Sequence, residues 1–587
     1  MVVLSMLGTS STTALAFGFL WSVLLAGIVL FLPQLAGRIV FGIFYFPSVL
    51  WALAQTGYYF TLGNLMWVST TTLAKEGTTF ITDVLTEFPA IWWIAAVILI
   101  GLGVVVLWAF PRSPAKFLRR LPYLACSILC IIGLAFLPKL IFLHENEPNR
   151  TTYNTMYDAK AVYDITGLYQ LLARDVWVNE LYPHTPGYES TLSKQENEID
   201  AFFAKRGEKK DNKMTGAFAG KNVILVMMES MDDWMITPQD TPTLTRLMAE
   251  GVNFTNFYTP GYGSGRTLNT EFCMNTGIYL PTTSNQISDY IGNNFGHSLA
   301  SQLGNLGYDS KVFHYNKPSY YSRNVLEPAM GYSDYVSYMN YTAVKEELCN
   351  EQYFIDNEEI NQIFFREGPT LNTILTRAAH LGYTYREITG HYALKKYPEY
   401  KTMYNSEEEI CARVKAKIVD DMFARLLEEL EARGQLESTV IIGITDHYTY
   451  GYKNMDELYS HSGVGSDLLL EKTPCFIWSA DGPSMQVDKT LSTADFLPTM
   501  LNLLGVDSPY HYLGQDAFDP NYRGYALFPD GSWICDGVAW QDDKILMNTK
   551  NRSVSKTEIS DMQTLSQEFI EVSNLLLSID YYKNAPG

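Results

Sequence analysis

At 587 residues, 47% hydrophobic and 14% aromatic, the chain is not a disordered protein and has room for a membrane segment plus a large folded domain. A net charge of −20 excludes nucleic acid as a partner, because its phosphates demand a basic surface. It does not exclude a phosphate-bearing substrate, since one divalent cation can invert the field locally.

The first 74 residues carry a single charge, Arg38. Leu15–Leu32 reads as a membrane span, and the uncharged runs Ala90–Phe110 (21 residues) and Leu121–Pro138 (18 residues) each suit a helix crossing about 30 Å of hydrocarbon. Ile39–Ala74, interrupted by Pro47 and Gly57, reads as one span plus an interfacial piece, giving four or five spans in residues 1–144. Arg112, Lys116, Arg119 and Arg120 crowd one loop, whereas Asp83, Glu87, Glu145 and Glu147 flank the opposite ends. The positive-inside rule makes that loop cytoplasmic and puts everything after Leu143 outside. Residues 145–220 are polar and helix-prone, with Leu168, Leu171, Leu172, Val176 and Leu181 marking an amphipathic connector.

From Asn222 short apolar runs alternate with helical patterns. Asn222–Met228, Lys311–Tyr315, Thr384–Ile388, Thr439–Thr445 and Cys475–Ser479 read as strands. Thr241-Pro242 opens a helix, and Val414–Arg433 carries apolar residues at four-residue spacing up to Gly434. The expected fold is an α/β sandwich with a central, mostly parallel sheet over residues 221–515 and its site at the carboxyl ends of the strands. Residues 516–587 complete it: Gly531–Asn548 as a small antiparallel sheet, Thr557–Tyr582 as an amphipathic helix. Of the seven cysteines, Cys349 and Cys411 lie in polar stretches and are candidates for a bridge in an extracytoplasmic domain.

Chemistry-bearing residues fall at the ends of these elements. Glu229 follows the first strand, where a lone carboxylate needs a partner. Thr267 follows Gly263-Ser-Gly-Arg, where glycines admit a ligand and a helix start favours an anion. Asp446 and His447 follow Thr439–Thr445 and reach one ion only if the strand ends there. Two carboxylates, a hydroxyl and an imidazole suit Mn²⁺, with Zn²⁺ or Mg²⁺ as alternatives. A cation-bound hydroxyl is a nucleophile, so the set points to phosphoryl-type transfer through a covalent threonine intermediate.

Seven segments in order, NVILVMMES (222–230), TPTLTRLMAEGVNFTNFY (241–258), GSGRTLNTEF (263–272), FHYNKPSYYSRN (313–324), ITGHY (388–392), TDHYTYG (445–451) and STADFLPTMLNLLGV (492–506), resemble the alkaline phosphatase/sulfatase superfamily and, within it, the lipoteichoic acid synthase-like branch. The resemblance implies Thr267 as nucleophile and Glu229, Thr267, Asp446 and His447 as metal ligands. It also implies a head-group pocket of His314, Tyr321 and Arg323, Tyr321 standing where the family has Trp. His391 is implied as the second active-site histidine, trading protons with the alcohols. A sulfatase would carry a C/S-x-P-x-R segment where this chain has Gly-Arg-Thr-Leu-Asn, which argues against sulfate-ester hydrolysis. The implied enzyme is a multi-pass protein of the bacterial cell membrane with an extracellular catalytic domain. It moves glycerol phosphate from phosphatidylglycerol to a polyglycerolphosphate or glycolipid acceptor. The alternatives are a phosphoethanolamine transferase and a membrane phosphodiesterase or sulfatase-like hydrolase; metal content separates all three from an inactive scaffold.

Overall fold

A computed structural model describes residues 11–62, 65–68, 90–111, 117–142, 149, 152–153, 156, 159–181, 188–206, 209–263, 265–281 and 290–583. The chain divides into two compact units, the second comprising Ser190–Pro281 and Gln286–Gly587.

In the first unit, four helices among the described residues are long and apolar enough to cross a membrane. They are α1 (Thr12–Phe31), α2 (Gln34–Leu62), α3 (Ala90–Trp108) and α4 (Leu121–Ile141). The interruption expected at Pro47 and Gly57 does not occur: α2 begins ahead of Arg38 and runs through both. With no water to take a freed backbone group, a continuous helix is the form that keeps most of them paired. Helices α1 and α4 approach closely, for a Cβ at Gly27 would lie 2.2 Å from Ser127 Oγ, and that hydroxyl donates to Leu24 O at 3.1 Å. The expected amphipathic segment forms α5 (Ala159–Thr166) and α6 (Leu168–Val176), whose Val162, Tyr163 and Leu171 are buried with Leu65 and Trp67. Arg112, Lys116, Asp83, Glu87, Glu145 and Glu147, which carry the orientation argument, lie outside the described residues.

Helix α7 (Tyr188–Ala204) leads into the second unit, where Ile199, Phe202 and Phe203 join the core. Fourteen strands follow among the described residues: β1 (Asn222–Met228), β2 (Val252–Phe254), β3 (Phe257–Tyr258), β4 (Asp309–His314), β5 (Asp334–Ser337), β6 (Thr370–Leu375), β7 (Thr439–Thr445), β8 (Cys475–Trp478), β9 (Met485–Val487), β10 (Leu491–Ser492), β11 (Tyr525–Leu527), β12 (Trp533–Cys535), β13 (Val538–Gln541) and β14 (Lys544–Asn548). Eight of them form one sheet in the order β5-β4-β6-β1-β7-β8-β2-β9. Pairing is parallel from β5 through β7 and between β2 and β9; β8 runs antiparallel to both its neighbours. The side chains of β1 alternate between two cores, Val223, Leu225 and Met227 on one face and Ile224, Val226 and Met228 on the other. That two-sided burial explains the unbroken apolar run. The expected C-terminal elements are present as the antiparallel sheet β11–β14 and a helix over Lys556–Ser578.

Two expectations fail locally. Thr384–Ile388 is no strand; the Glu387 carboxylate accepts from Gly390 N at 2.8 Å and caps a helix over Ile388–Lys396. The strand lies earlier, at β6, whose polar centre hid it. Asn372 there is satisfied by Phe364 O and Arg366, and Thr373 by the Tyr332 hydroxyl. Cys349 and Cys411 are both free thiols, each buried.

Candidate active site

The carboxyl ends of β1, β6 and β7 meet at one place, as their parallel register requires. Glu229 follows β1; its amide donates to Thr376 Oγ1 just past β6 at 2.9 Å. Asp446 and His447 follow β7, with the strand ending at Thr445, so both side chains turn to the same side. Helix α8 (Pro242–Glu250) packs against the sheet, and its first-turn amide at Leu244 is taken by Asp420 at 2.8 Å rather than by the Thr241 side chain. Helix α9 (Arg266–Thr276) begins at Gly265, whose φ of +88° favours glycine. The Thr270 hydroxyl ties α9 to Asp446 O at 2.6 Å, which brings Thr267 over the cluster.

Glu229, Asp446 and His447 each offer a ligand atom, all within 4.8 Å of one another, and all three side chains are buried. Half-buried Thr267 completes the set, its Oγ1 lying 3.4 Å from Glu229 Oε2 and 3.2 Å from His447 Nε2. Each ligand is aimed from behind. Asp446 Oδ1 accepts from the amides of Ser230 (2.8 Å) and His447 (2.9 Å), which leaves buried Oδ2 facing the His447 ring. His447 Nδ1 donates to Tyr448 O at 2.9 Å, which turns the Nε2 lone pair inward, 3.0 Å from Asp446 Oδ2 and 3.4 Å from Glu229 Oε1. The Ser230 hydroxyl, at a residue with φ of +51°, holds Glu229 Oε1 at 2.9 Å.

Burial, then the Asp446 charge, pushes the Glu229 carboxyl up to about 8. For His447, burial works downward but Asp446 outweighs it and raises the imidazole to about 9. The Asp446 carboxyl is held low against its own burial, chiefly by His447. Converging buried acceptors and protons held against their usual tendency fit a cation pocket. Oxygen-rich ligation with one nitrogen suits a divalent ion.

Of the expected head-group residues, His314 ends β4, buried, its Nδ1 donating to Leu375 O at 2.7 Å. Burial and then Arg323 hold its imidazole neutral, well below its usual range. Tyr321 and Ser322 both take φ of +56°, a left-handed pair that reverses the chain. This lays Tyr321 beside Gly265, where a Cβ would sit 3.5 Å from its hydroxyl, and over the Arg323 guanidinium at 5.2 Å. Arg323 is not free for a phosphate fork. It is 2% exposed and paired in two-pronged fashion with Glu271 on α9, Nε to Oε1 at 2.8 Å and a terminal nitrogen to Oε2 at 2.6 Å. Buried Glu327 lies beside the pair, where burial and then Glu271 push its carboxyl well up. Arg323→Met strands Glu271, and breaking a buried pair from one side costs about 3–5 kcal/mol. Denaturant unfolding of the catalytic unit in the full chain is expected to register a loss of that size.

His391 is not brought to the cluster. It lies on an exposed face of α10 (Ile388–Lys396), and among the described residues its side chain makes no hydrogen bond, ion pair or ring contact. A further histidine, His380, lies five residues beyond the end of β6, itself exposed to solvent but within the electrostatic reach of His447 and His314. Desolvation around the ring, then Arg377 and Lys415, lowers its proton affinity. Sequence reasoning missed it because β6 was missed; a lone histidine just past a buried parallel strand was the available signal. Arg266, next to Thr267, is engaged by Glu471 at 2.6 Å and flanked by Tyr448 and Tyr450.

This sheet order, with a hydroxyl at a helix start above two carboxylates and an imidazole, defines the alkaline phosphatase class of fold, whose enzymes are metal-dependent. Within that class the chain carries a sulfatase domain: residues 221–506 match the family described as Sulfatase. The chain is 22% identical over 516 residues to lipoteichoic acid synthase 2 of Bacillus subtilis (strain 168), covering 84% of this chain and 75% of the relative. It is 23% identical over 505 residues to lipoteichoic acid synthase 1 of the same organism, covering 81% and 75%. The crystal structure of the lipoteichoic acid synthase LtaP from Listeria monocytogenes shares the fold, with a TM-score of 0.54 at 17% identity over 67% of this chain and 99% of that one.

Proposed function

We propose that the chain is a membrane phosphotransferase that moves glycerol phosphate from phosphatidylglycerol to a polyglycerolphosphate or glycolipid acceptor, with its catalytic unit on the extracytoplasmic side. The observation that carries this reading is Thr267 Oγ1 set at the start of α9 within 3.4 Å of both Glu229 and His447. The named relatives and four apolar helices support the substrate class and the membrane setting. The charge asymmetry around Arg119 and Arg120 supports the orientation.

Glu229, Asp446, His447 and Thr267 would hold the divalent ion, Mn²⁺ by preference, and that ion supplies Lewis acidity to the threonine hydroxyl and the phosphate oxygens. Thr267 Oγ, its proton given up to solvent, attacks phosphorus, the bond to the diacylglycerol oxygen breaks, and glycerophosphate remains on Thr267. The departing oxygen takes a proton from His380, whose proton affinity rises when a phosphate anion enters beside it. In the second half the acceptor hydroxyl gives its proton to His380, its oxygen bonds to phosphorus, and the bond from phosphorus to Thr267 Oγ breaks, returning the threonine oxygen as the oxyanion that attacked. The start of α9 favours the anion, while His314 and Tyr321 border the head group.

Loss of a general acid–base group costs about 10²–10⁴-fold. His380→Ala is therefore expected to lose that much turnover, and His391→Ala to stay within about twofold of the parent. Release of fluorescent diacylglycerol from labelled phosphatidylglycerol, measured on the full chain in proteoliposomes, checks both. The reverse pattern would return the role to His391.

A further inference from the structure

The segment between β6 and α10, residues 376–387, wraps one side of the cation pocket. Thr376 takes the Glu229 amide, and His380 lies four residues further on, within electrostatic reach of His447. Tyr383, buried, lies in the field of Asp232 and Glu229, with its hydroxyl donating to Ala379 O at 3.1 Å. Such a turn leaves main-chain groups without sheet or helix partners, and buried ones must be satisfied.

Two buried charged side chains from distant elements do this. Glu351 accepts from the amides of Arg377 (2.6 Å) and Ala378 (2.5 Å). The other is Lys415, on α11 (Glu407–Ala432), whose side chain is 0% exposed. Its ammonium donates to the carbonyl of His380 itself at 3.0 Å, to that of Gly382 at 3.0 Å, and to Glu387 Oε2 at 2.8 Å. All three donors of a lysine are thus spent on one loop, two of them on the residues at and next but one to the active-site imidazole. An ammonium taken wholly out of water is costly to keep, and a packing role alone would be filled by methionine at no such cost. Here the charge has a specific use: it fixes the backbone from which the His380 ring projects.

We propose that Lys415 is a positioning residue for the transfer reaction, acting through the His380 carbonyl to hold the imidazole against the phosphate site. This rests on the reading above, in which His380 serves the reaction.

The test is a double-mutant cycle on the full chain in proteoliposomes with fluorescent phosphatidylglycerol. Lys415→Met alone strands the Glu387 carboxylate, so the variant used is Lys415→Met/Glu387→Gln, which removes the pair together and keeps a side-chain carbonyl to cap α10. This variant is expected to lose about 10–100-fold in kcat, with KM for the lipid and bound metal per chain within about threefold of the parent. In a His380→Ala background the same pair of changes is expected to cost less than about threefold, because the group it positions is gone. Equal losses in both backgrounds, or no loss in the parent, would overturn the positioning role while leaving His380 in place. An active His380→Ala single variant would overturn the reading beneath it.

Discussion

Thr267→Ala is expected to release no diacylglycerol above background, a loss on the order of 10⁴–10⁶-fold, the scale seen when a nucleophile is removed. The loss is chemical rather than structural. Thr267 is half-buried at the second position of α9, and the helix keeps its anchor through Thr270 to Asp446 O at 2.6 Å and through Asn269 N to Gly265 O at 2.9 Å. The variant should therefore unfold at the parent's denaturant midpoint within error. Thr267→Ser keeps a hydroxyl in reach of Glu229 and His447 and is expected to retain measurable turnover. Turnover by the alanine variant at even a tenth of the parent rate would remove Thr267 from the reaction.

Removing the ion, or one of its ligands, should be almost as damaging. Chelation is expected to abolish activity, with recovery on adding Mn²⁺. Asp446→Asn is expected to weaken ion binding by at least about 100-fold, since even changes behind a ligand cost 10–100-fold. Asparagine still offers one acceptor to the amides of Ser230 and His447 but puts no charge at the Oδ2 position that faces His447.

The same pocket sets the pH dependence. With no cation, Glu229 is raised to about 8 and His447 to about 9, so both hold protons at pH 7, and ligation requires both to lose them. Apparent affinity is therefore low at pH 6, rises through pH 7–9 and levels off above about 9, with about one to two protons released per ion near pH 7. Calorimetric titration in buffers of different ionisation heat measures both quantities. Affinity flat from pH 6 to 9 would mean that these groups do not ligate.

The central sheet was legible because its interior strands are buried on both faces. Asn222–Met228 and Thr439–Thr445 are continuous apolar runs with the observed bounds. The clustered Glu229, Asp446 and His447 were legible for the related reason that polar residues directly beyond such strands stand out. Legibility ended where polar groups satisfy one another inside the fold. Strand β6 carries Asn372 and Thr373 at its centre, paired to Arg366 and Tyr332, so no apolar run announced it and His380 went unnoticed behind it. His391 drew notice in the ITGHY segment, but its exposure depends on how α10 is rolled, which its sequence does not reveal. Arg323 illustrates a third limit. The family resemblance put it in a head-group pocket with His314, yet Glu271, one turn after Thr267, takes the guanidinium in a contact between residues 52 positions apart.

The most direct measurement is peptide mass spectrometry of the full chain, quenched in acid while turning over phosphatidylglycerol with Mn²⁺ and no acceptor. The account predicts a glycerophosphoryl mass on the peptide containing Thr267, absent from Thr267→Ala and discharged when acceptor is added before the quench. A chain that releases diacylglycerol at the full rate with no adduct on that peptide, or with the adduct on another residue, would contradict it.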